Sequence, residues 1–341
     1  MQFGYSEVCL AHDPGSRHPE TPDRLRAIRE RLKRKHGVEY VEADPCDLDR
    51  MAAVHERSYL ESVREFCADG GGNWDPDTTA VEETWDATRH SAGLACWAVE
   101  AALEGATGRK TPFSIGRPPG HHAVYDDAMG FCFVNNVAVA AQHALDTDEY
   151  DVDRVAIVDW DVHHGNGTQD IFYDREDVFF VSIHEKGLYP GTGAVDETGE
   201  GPGEGTTMNV PMPAGTDDSE YLAAVEGPIT ATLTEYDPDL LIVSAGFDAH
   251  RHDPISRVRL TTEAYALMAD RLRSLADDTD AALAFVLEGG YGLDVLADSV
   301  AMVHETFDGR EPIDPDSTCS DRAESALEDV LEAHDLDVDC C

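Results

Sequence analysis

The feature of this sequence that most constrains its fold is a repeated pattern of short apolar runs. Each run is rich in branched residues, ends abruptly in glycine or polar residues, and precedes an alanine-rich stretch, which is typical of strands alternating with helices. Because the runs are almost continuously apolar, they suit a parallel sheet covered on both faces. The sequence therefore predicts an α/β fold with a central, mainly parallel sheet. The clearest strand candidates are 112–115, 155–158, 178–183, 240–243 and 283–287, and the clearest helix candidates are 83–103, 136–145, 219–235 and 262–276, the last with Thr262 as its N-cap.

Chemically active side chains follow four of these predicted strands. In open α/β sheets the ligand crevice lies beyond the carboxyl ends of the strands. We therefore expect the side chains that follow the four strands to meet at one rim. They are His121 and His122 after the first strand, Asp159, Asp161 and His163 after the second, Asp248 after the fourth and Tyr291 after the fifth.

Asp161 and His163 are two residues apart at the end of a predicted strand, so their side chains are expected to point the same way. Together with Asp248 they offer two carboxylates and one imidazole, which suit Zn²⁺ or, as an alternative, Fe²⁺. Buried ion pairs and helix caps also produce this spacing. The tandem His121 and His122 suit proton transfer because histidine titrates near neutral pH.

The chain is strongly acidic, with 69 Asp and Glu against 25 Lys and Arg and a net charge of −44. Because the Debye length at molar salt is only about 3 Å, self-repulsion of this size is largely screened in a salt-loaded cytoplasm. The acidic residues extend from Glu7 to Asp339, which favours a halophilic source, for which we expect an archaeon, over a single acidic tail. A surface of this kind argues against direct nucleic-acid binding, which depends on phosphate neutralisation.

Cysteine spacing and hydropathy predict a cytoplasmic protein. The eight cysteines form no C-x-x-C motif, which fits a reduced, intracellular chain, although the adjacent Cys340 and Cys341 have the alternative of binding metal or oxidising. Neither a signal peptide nor an apolar run of 18 residues is recognised, so we expect no membrane association.

No internal repeat or Pro/Ser-rich linker divides the chain, so we expect one catalytic domain over residues 1–313. Residues 314–341 are predicted to form an acidic tail with an amphipathic helix over 321–335. This helix either docks on its own domain or binds a partner. Its apolar stripe consists of Ala323, Ala326, Leu327, Val330 and Leu331.

Five segments, in order along the chain, resemble the signatures of the zinc-dependent histone deacetylase family. They are His18-Pro19-Glu20-Thr21-Pro22-Asp23-Arg24, the stretch 117–136 beginning Arg-Pro-Pro-Gly-His-His, the stretch 159–169 beginning Asp-Trp-Asp-Val-His-His, 244–250 and 287–291. The residues of these motifs are similar to those of the class II branch, within a superfamily that includes acetylpolyamine amidohydrolases. The resemblance implies an arginase/deacetylase-like three-layer α/β/α fold and hydrolysis of an acetyl amide.

The resemblance also implies the ions and the residues that hold them. A catalytic Zn²⁺, or Fe²⁺, is bound by Asp161, His163 and Asp248. A structural K⁺ is expected near the same strand, at Asp159, Asp161, His163 and Ser182.

Carried over by position, the resemblance assigns the proton-transfer groups. His122 acts as general base and then general acid, and His121, oriented by Asp159, adds electrostatic support. His122 is paired with Asn166, where class I enzymes have a carboxylate, so we expect it to be less basic than a carboxylate-paired histidine. Tyr291 polarises the acetyl carbonyl.

The family's substrate tunnel maps onto Gly130 and Phe131 on one side and Tyr189 on the other. Polyamine-selective relatives carry an acidic residue seven positions after the last metal ligand, where this chain has Ile255. We therefore expect the substrate to be N6-acetyl-lysine in proteins or peptides. The alternative is a small acetylated amine, as in acetylpolyamine amidohydrolases or acetoin-utilisation enzymes.

Two further alternatives are weighed against this prediction. Arginase-type dinuclear manganese chemistry requires a third ligand in an Asp-x-His-x-Asp motif, and Gly165 occupies that position. A non-catalytic acyl-lysine binder has no need of the complete set of catalytic residues. The neighbouring His164 is interpreted as a buried histidine with satisfied hydrogen bonds.

Overall fold

A parallel sheet forms the centre of the protein, seen here in a computed structural model that describes residues 1–316 and 318–339. Within those residues the sheet has eight strands in the order β2-β1-β5-β10-β9-β6-β7-β8, and every neighbouring pair is parallel. The remaining two strands, β3 and β4, form a small antiparallel pair. The strands are β1 (Gln2–Gly4), β2 (Glu39–Val41), β3 (Gly72–Asn73), β4 (Thr79–Ala80), β5 (Pro112–Ser114), β6 (Val155–Asp159), β7 (Val178–Glu185), β8 (Thr207–Met212), β9 (Leu240–Ala245) and β10 (Ala282–Leu287).

Helices cover both faces of the sheet. One face packs against α1, α9, α10 and α11, and the other against α3, α4 and α5. The helices are α1 (Asp23–Leu32), α2 (Leu48–Met51), α3 (Arg57–Ala68), α4 (Thr84–Leu103), α5 (Asn136–Asp146), α6 (Asn166–Phe172), α7 (Asp218–Ala224), α8 (Thr230–Tyr236), α9 (Thr262–Asp278), α10 (Leu293–Phe307) and α11 (Asp321–Ala333). The predicted three-layer α/β/α architecture is thus confirmed.

Strand β6 explains why the predicted strands are apolar at nearly every position. Val155 and Ile157 point into one apolar core, and Ala156 and Val158 point into the other. Because side chains alternate between the two faces of a strand and both faces are covered by helices, each residue needs an apolar side chain. All five predicted runs form strands, namely β5, β6, β7, β9 and β10.

Two predictions about helices are wrong in detail. The predicted helix 219–235 is divided into α7, a π-helical turn over Val225–Ile229, and α8. Pro228 lies inside this turn, and a proline lacks the N–H that regular α-helical hydrogen bonding needs. The N-cap of α9 is Thr261 rather than Thr262, because the side chain of Thr261 accepts the N–H of Glu263.

The predicted tail helix is present as α11 and packs on the rest of the protein. Ala323, Leu327 and Val330 are fully buried in the apolar core that also contains residues of β8 and α7. This packing accounts for the apolar stripe without a partner protein. The division of the chain after residue 313 stays a prediction.

The cysteines agree only in part with the expectation of a reduced chain. Within the described residues, five buried cysteines are free, whereas Cys319 is disulfide-bonded, so the expectation is wrong at that position. The predicted pair Cys340 and Cys341 lies outside the described residues. No helix in the described parts of the chain combines the length and apolar character that a membrane span requires.

Candidate metal centre and active site

The strand order brings the four candidate loops to one place. Strands β5, β10, β9 and β6 are consecutive neighbours in the sheet and run parallel, so their carboxyl ends lie side by side. The loops that follow them contain residues 116–122, 288–291, 246–250 and 160–164. The rim that the sequence predicts is therefore formed by four adjacent strands at the centre of the sheet.

Asp161, His163 and Asp248 offer ligand atoms that all lie within 4.8 Å of one another. The Nδ1 atom of His163 is 2.9 Å from Asp161 Oδ1 and 3.3 Å from Asp248 Oδ2. Strand β6 ends at Asp159, so strand geometry does not align Asp161 with His163 as we expected. Instead, a tight turn aligns them, because the N–H of His163 donates to Asp161 Oδ1 at 2.9 Å.

Backbone amides hold the two carboxylates in this cluster. The N–H of Gly289 donates to Asp161 Oδ2 at 2.8 Å, and the N–H of Val162 donates to Asp248 Oδ1 at 2.9 Å. The second oxygen of Asp248 is buried and has no hydrogen-bond partner. A buried carboxylate oxygen without a partner, facing a second carboxylate and an imidazole, fits a divalent cation such as Zn²⁺.

The electrostatics of the cluster also favour a cation. Burial disfavours the charged imidazolium, but Asp161 and Asp248 outweigh burial and raise the pKa of His163 to about 10. Burial likewise opposes the charged form of Asp161, yet His121 and His163 hold its pKa well below the usual range. The cluster thus has a negative potential that attracts positive charge.

The tandem histidines lie beside the cluster and differ in their partners. His121 Nδ1 is 2.9 Å from Asp159 Oδ2; burial opposes protonation, but Asp159 and Asp161 raise the pKa of His121 to about 10. His122 Nδ1 is 2.7 Å from Asn166 Oδ1, an uncharged acceptor. Burial has the largest effect on the pKa of His122 and, with the positive charges of His121 and His163, holds it well below its usual value. Positive charge is therefore favoured on His121 and disfavoured on His122.

Aromatic rings lie next to His122 and Tyr291. The Tyr189 ring lies edge-on to His122 at 5.0 Å, and the Phe131 ring lies edge-on to Tyr291 at 5.7 Å between centroids. Gly130 has φ 56°, and a Cβ added there would lie 2.3 Å from His122 Cδ2, so only glycine permits this approach. Burial raises the pKa of Tyr291 well above its usual value, which keeps the phenol protonated.

The structure does not bring every predicted residue into this arrangement. Ile255 lies on the loop after Asp248, where its N–H donates to Asp253 Oδ1 at 3.2 Å, and it takes no part in the ring contacts above. Ser182 is the register partner of Asp159 across β6 and β7, and its Oγ contacts His184 Nδ1 at 3.0 Å. The K⁺ site at these residues stays a prediction.

Sequence reasoning gave no role to Glu288, which the structure places beneath the tandem histidines. Its fully buried Oε2 accepts the N–H of Gly120 at 2.7 Å and that of His121 at 3.1 Å. Burial raises the pKa of Glu288 to about 7. The available signal was a charged residue at the end of an otherwise apolar strand.

A buried ion cluster behind the site was missed as well. Arg117 donates to Glu20 Oε1 at 2.8 Å, and Arg24 donates to the same oxygen at 3.1 Å. Arg24 also donates to the carbonyl of Gly290 at 2.7 Å, and its guanidinium lies 5.1 Å from the centroid of the Tyr291 ring. The N-terminal segment therefore supports the loop that carries Tyr291.

The environment of Gly165 argues against a dinuclear site. A Cβ at this position would lie 2.4 Å from Asp159 Oδ2, so the third ligand of an arginase-type motif has no room there. Next to it, His164 has both ring nitrogens within hydrogen-bond distance of partners, Thr192 Oγ1 at 2.8 Å and Gln169 Oε1 at 2.9 Å. This geometry fits the interpretation of His164 as a satisfied, buried histidine.

Comparisons with known proteins agree with this arrangement. A sequence model of the histone deacetylase domain matches residues 18–307. The chain is 40% identical over 311 residues to "Histone deacetylase 10, chloroplastic" of Oryza sativa subsp. japonica, covering 86% of this chain and 70% of that protein. It is 40% identical over 297 residues to a "Probable deacetylase" of Methanothermobacter thermautotrophicus, covering 86% and 87%. The crystal structure of the HDA15 HD domain superposes with a TM-score of 0.89 at 34% identity, covering 98% and 96% of the two chains. The chain belongs to the histone deacetylase domain family, and it is accordingly an enzyme of the deacetylase type, for which zinc dependence is typical.

Proposed function

We propose that this chain removes the acetyl group from N6-acetyl-lysine in proteins or peptides by hydrolysis of the amide bond. The observation that carries the proposal is the convergence of Asp161, His163 and Asp248 within 4.8 Å, with Asp248 Oδ2 left without a hydrogen-bond partner. Beside this cluster stand a neutral histidine and a protonated phenol. Together these groups supply a cation site, a base and a hydrogen-bond donor.

In the proposed mechanism, Asp161, His163 and Asp248 would hold Zn²⁺ or Fe²⁺, which when bound would supply a Lewis acid that lowers the pKa of water. His122 is kept neutral by burial and by the charge of His121, so its Nε2 accepts the proton of the attacking water. The same proton then passes to the leaving lysine amine. Cationic His121, held by Asp159, stabilises the negative charge that develops, and the hydroxyl of Tyr291 donates to the acetyl oxygen.

The rings of Phe131 and Tyr189, together with the close approach of Gly130 to His122, support a narrow slot for an acetylated alkyl chain. At the position of the acidic gatekeeper in polyamine-selective relatives, Ile255 gives a cationic amine no counter-charge. This favours acetyl-lysine in a polypeptide over a small acetylated amine.

The test is the kinetics of the zinc-loaded enzyme, in concentrated KCl, on an acetyl-lysine peptide and on acetylspermidine. We expect kcat/KM to favour the peptide. A clear preference for acetylspermidine would instead support the small-molecule deacetylase, and no turnover of either substrate would support a non-catalytic acyl-lysine binder.

The Tyr291→Phe variant tests the mechanism directly. Loss of one transition-state hydrogen bond should lower kcat by about 10²- to 10³-fold with metal content unchanged. Tyr265→Phe is the matched control, because it removes a buried phenol hydroxyl that has no hydrogen-bond partner. Equal activity of Tyr291→Phe and the control would refute the proposed role of the phenol.

We propose four finer properties on the same basis. The pairing of His122 with Asn166 supports the class II-like branch, and the register of Ser182 beside Asp159 supports a structural K⁺, which flame photometry of dialysed protein would test. The net charge of −44 supports a halophilic archaeal source, and a Tm that fell with added KCl would contradict it. Five free, buried cysteines support a cytoplasmic location and the disulfide-bonded Cys319 opposes it, so cell fractionation is the test.

A further inference from the structure

Asp253 connects the loop that carries a candidate metal ligand to the loop that carries Tyr291. It follows Asp248 by five residues and is 7% exposed. Its Oδ2 accepts two successive backbone amides of the other loop, the N–H of Tyr291 at 2.7 Å and that of Gly292 at 2.9 Å. We propose that Asp253 is a positioning residue for Tyr291. This inference rests on the proposed function, in which the phenol polarises the acetyl carbonyl.

The first argument is that few other groups fix the Tyr291 backbone. Gly290 has φ 119° and Gly292 follows Tyr291, so the residue sits between two glycines of high conformational freedom. Arg24 holds the carbonyl of Gly290 from one side. The carboxylate of Asp253 accepts the N–H of Tyr291 itself. It therefore fixes the position of the Tyr291 Cα, from which the phenol side chain extends.

The second argument is that Asp253 is itself rigidly placed relative to the metal cluster. Its N–H donates to the carbonyl of His250 at 2.7 Å, and its other oxygen, Oδ1, accepts the N–H of Ile255 at 3.2 Å. Ser256 then donates to the carbonyl of Asp248 at 2.7 Å. These hydrogen bonds close the loop from residue 248 to residue 256, so they fix the position of the Asp253 carboxylate relative to Asp248.

The third argument is electrostatic. Gly292 is the N-cap of α10 and provides no side chain for the unpaired amides of the first helical turn. The carboxylate of Asp253 accepts the two amides directly before that turn, those of Tyr291 and Gly292, and a negative charge at a helix N-terminus is favoured by the helix dipole. Asp253 therefore fixes the end of α10 and the phenol with the same oxygen.

The mechanism needs the acetyl carbonyl to meet the metal cluster on one side and the phenol on the other. A displacement of about 1 Å in such an arrangement costs up to about 100-fold in rate. Because the carboxylate of Asp253 connects the two loops, its removal should displace the Tyr291 phenol relative to the metal cluster. Asp161, His163 and Asp248 should stay in contact.

The experiment compares hydrolysis of an acetyl-lysine peptide with that of the matching trifluoroacetyl-lysine peptide. Fluorine activates the second carbonyl, so its hydrolysis depends less on the hydrogen bond from the phenol. We expect Asp253→Ala to lower kcat on the acetyl peptide by about 10- to 100-fold, to lower kcat on the trifluoroacetyl peptide much less, and to leave KM and zinc content close to wild type. Asp253→Asn, which keeps one oxygen for the two amides, should restore most of the rate.

The matched control is Asp239→Ala. Asp239 directly precedes β9 and therefore lies at the amino ends of the strands, opposite the candidate site. Asp239 Oδ2 also accepts two successive backbone amides, those of Asp153 and Arg154, both at 2.9 Å. This change should affect stability but not the ratio of the two substrates. If Asp253→Ala does not fold, Asp253→Ser removes the same reach and takes its place.

Each outcome decides between separate statements. If Tyr291→Phe changes the acetyl to trifluoroacetyl ratio and Asp253→Ala leaves it at the wild-type value, the positioning role is refuted and the proposed function stands. If Tyr291→Phe itself leaves the ratio and the rate unchanged, the proposed role of the phenol is refuted. An equal loss on both substrates with Asp253→Ala would show a purely structural role.

Discussion

Replacing Asn166 by Asp should make His122 a stronger base and shift the pH dependence of the reaction. His122 Nδ1 lies 2.7 Å from Asn166 Oδ1, so the substitution places a negative charge next to the ring. Two unit charges 4 Å apart interact by about 4 kcal/mol at an effective dielectric of 20. At about 1.4 kcal/mol for each pKa unit this corresponds to about 3 units, an upper value because the new carboxylate must also be desolvated.

Local contacts reduce this shift further. The Asn166 amide donates to the carbonyl of His122 at 3.3 Å and to Met129 Sδ at 3.4 Å, and a carboxylate oxygen offers neither hydrogen bond. We therefore expect the pKa of His122 to rise by about 1 to 2 units. A general base must be unprotonated to act, so the acid limb of kcat/KM should move to higher pH by the same amount.

The assay is the pH profile of kcat/KM for the acetyl-lysine peptide, measured at constant ionic strength from about pH 5 to about pH 9. Gln169→Glu is the matched control, because it makes the same amide-to-carboxylate change against His164, with Nε2 to Oε1 2.9 Å apart. An acid limb that stays in place in Asn166→Asp, or that moves equally in the control, would refute the assignment of His122 as the base.

Two further predictions concern the metal and the buried ion cluster. Chelation should abolish activity and lower Tm, because a ligand that binds only the folded state stabilises it, and Zn²⁺ should restore both at about one ion per chain; elemental analysis that returned two manganese ions per chain would contradict the single-metal site. Glu20→Gln should lower the free energy of unfolding by about 3–5 kcal/mol, since it leaves Arg24 and Arg117 buried without their counter-charge. Urea unfolding in concentrated KCl measures this loss, and a loss below about 1 kcal/mol would show that the buried carbonyl acceptors alone satisfy the two arginines.

The sequence predicted the central strands and missed the outer ones for a physical reason. Strands β6, β9 and β10 are buried on both faces, so burial alone selects their apolar side chains. Strands β1 and β2 have only three residues each, and β8 contains Thr207, Asn209 and Pro211. Such strands form because they pair with a neighbouring strand, and this pairing does not require a distinctive amino-acid composition in the strand itself.

The same distinction applies to the candidate site. Groups with reactive side chains, such as Asp161, His163 and Tyr291, were found from the sequence because they follow predicted strands and lie in segments that resemble the signatures of the histone deacetylase family. Glu288 and Asp253 act on backbone amides of distant segments, 168 and 38 residues away along the chain. Which amide a carboxylate will meet depends on strand order, and strand order is a property of the fold that one sequence does not display.

The cluster of carboxylates is made possible by glycines and backbone amides as well as by the neighbouring imidazoles. A Cβ at Gly246 would lie 2.1 Å from Asp161 Oδ2, and one at Gly289 would lie 2.2 Å from Asp248 Oδ2, so both loops must lack side chains there. The amides of Gly289 and Val162 neutralise only part of the buried negative charge. Among the ion pairs of the described residues, the two carboxylates contact His121 and His163 and neither arginine nor lysine, and an imidazole can give up its proton to a metal ion. Binding one cation there would therefore stabilise the fold as well as prepare the reaction.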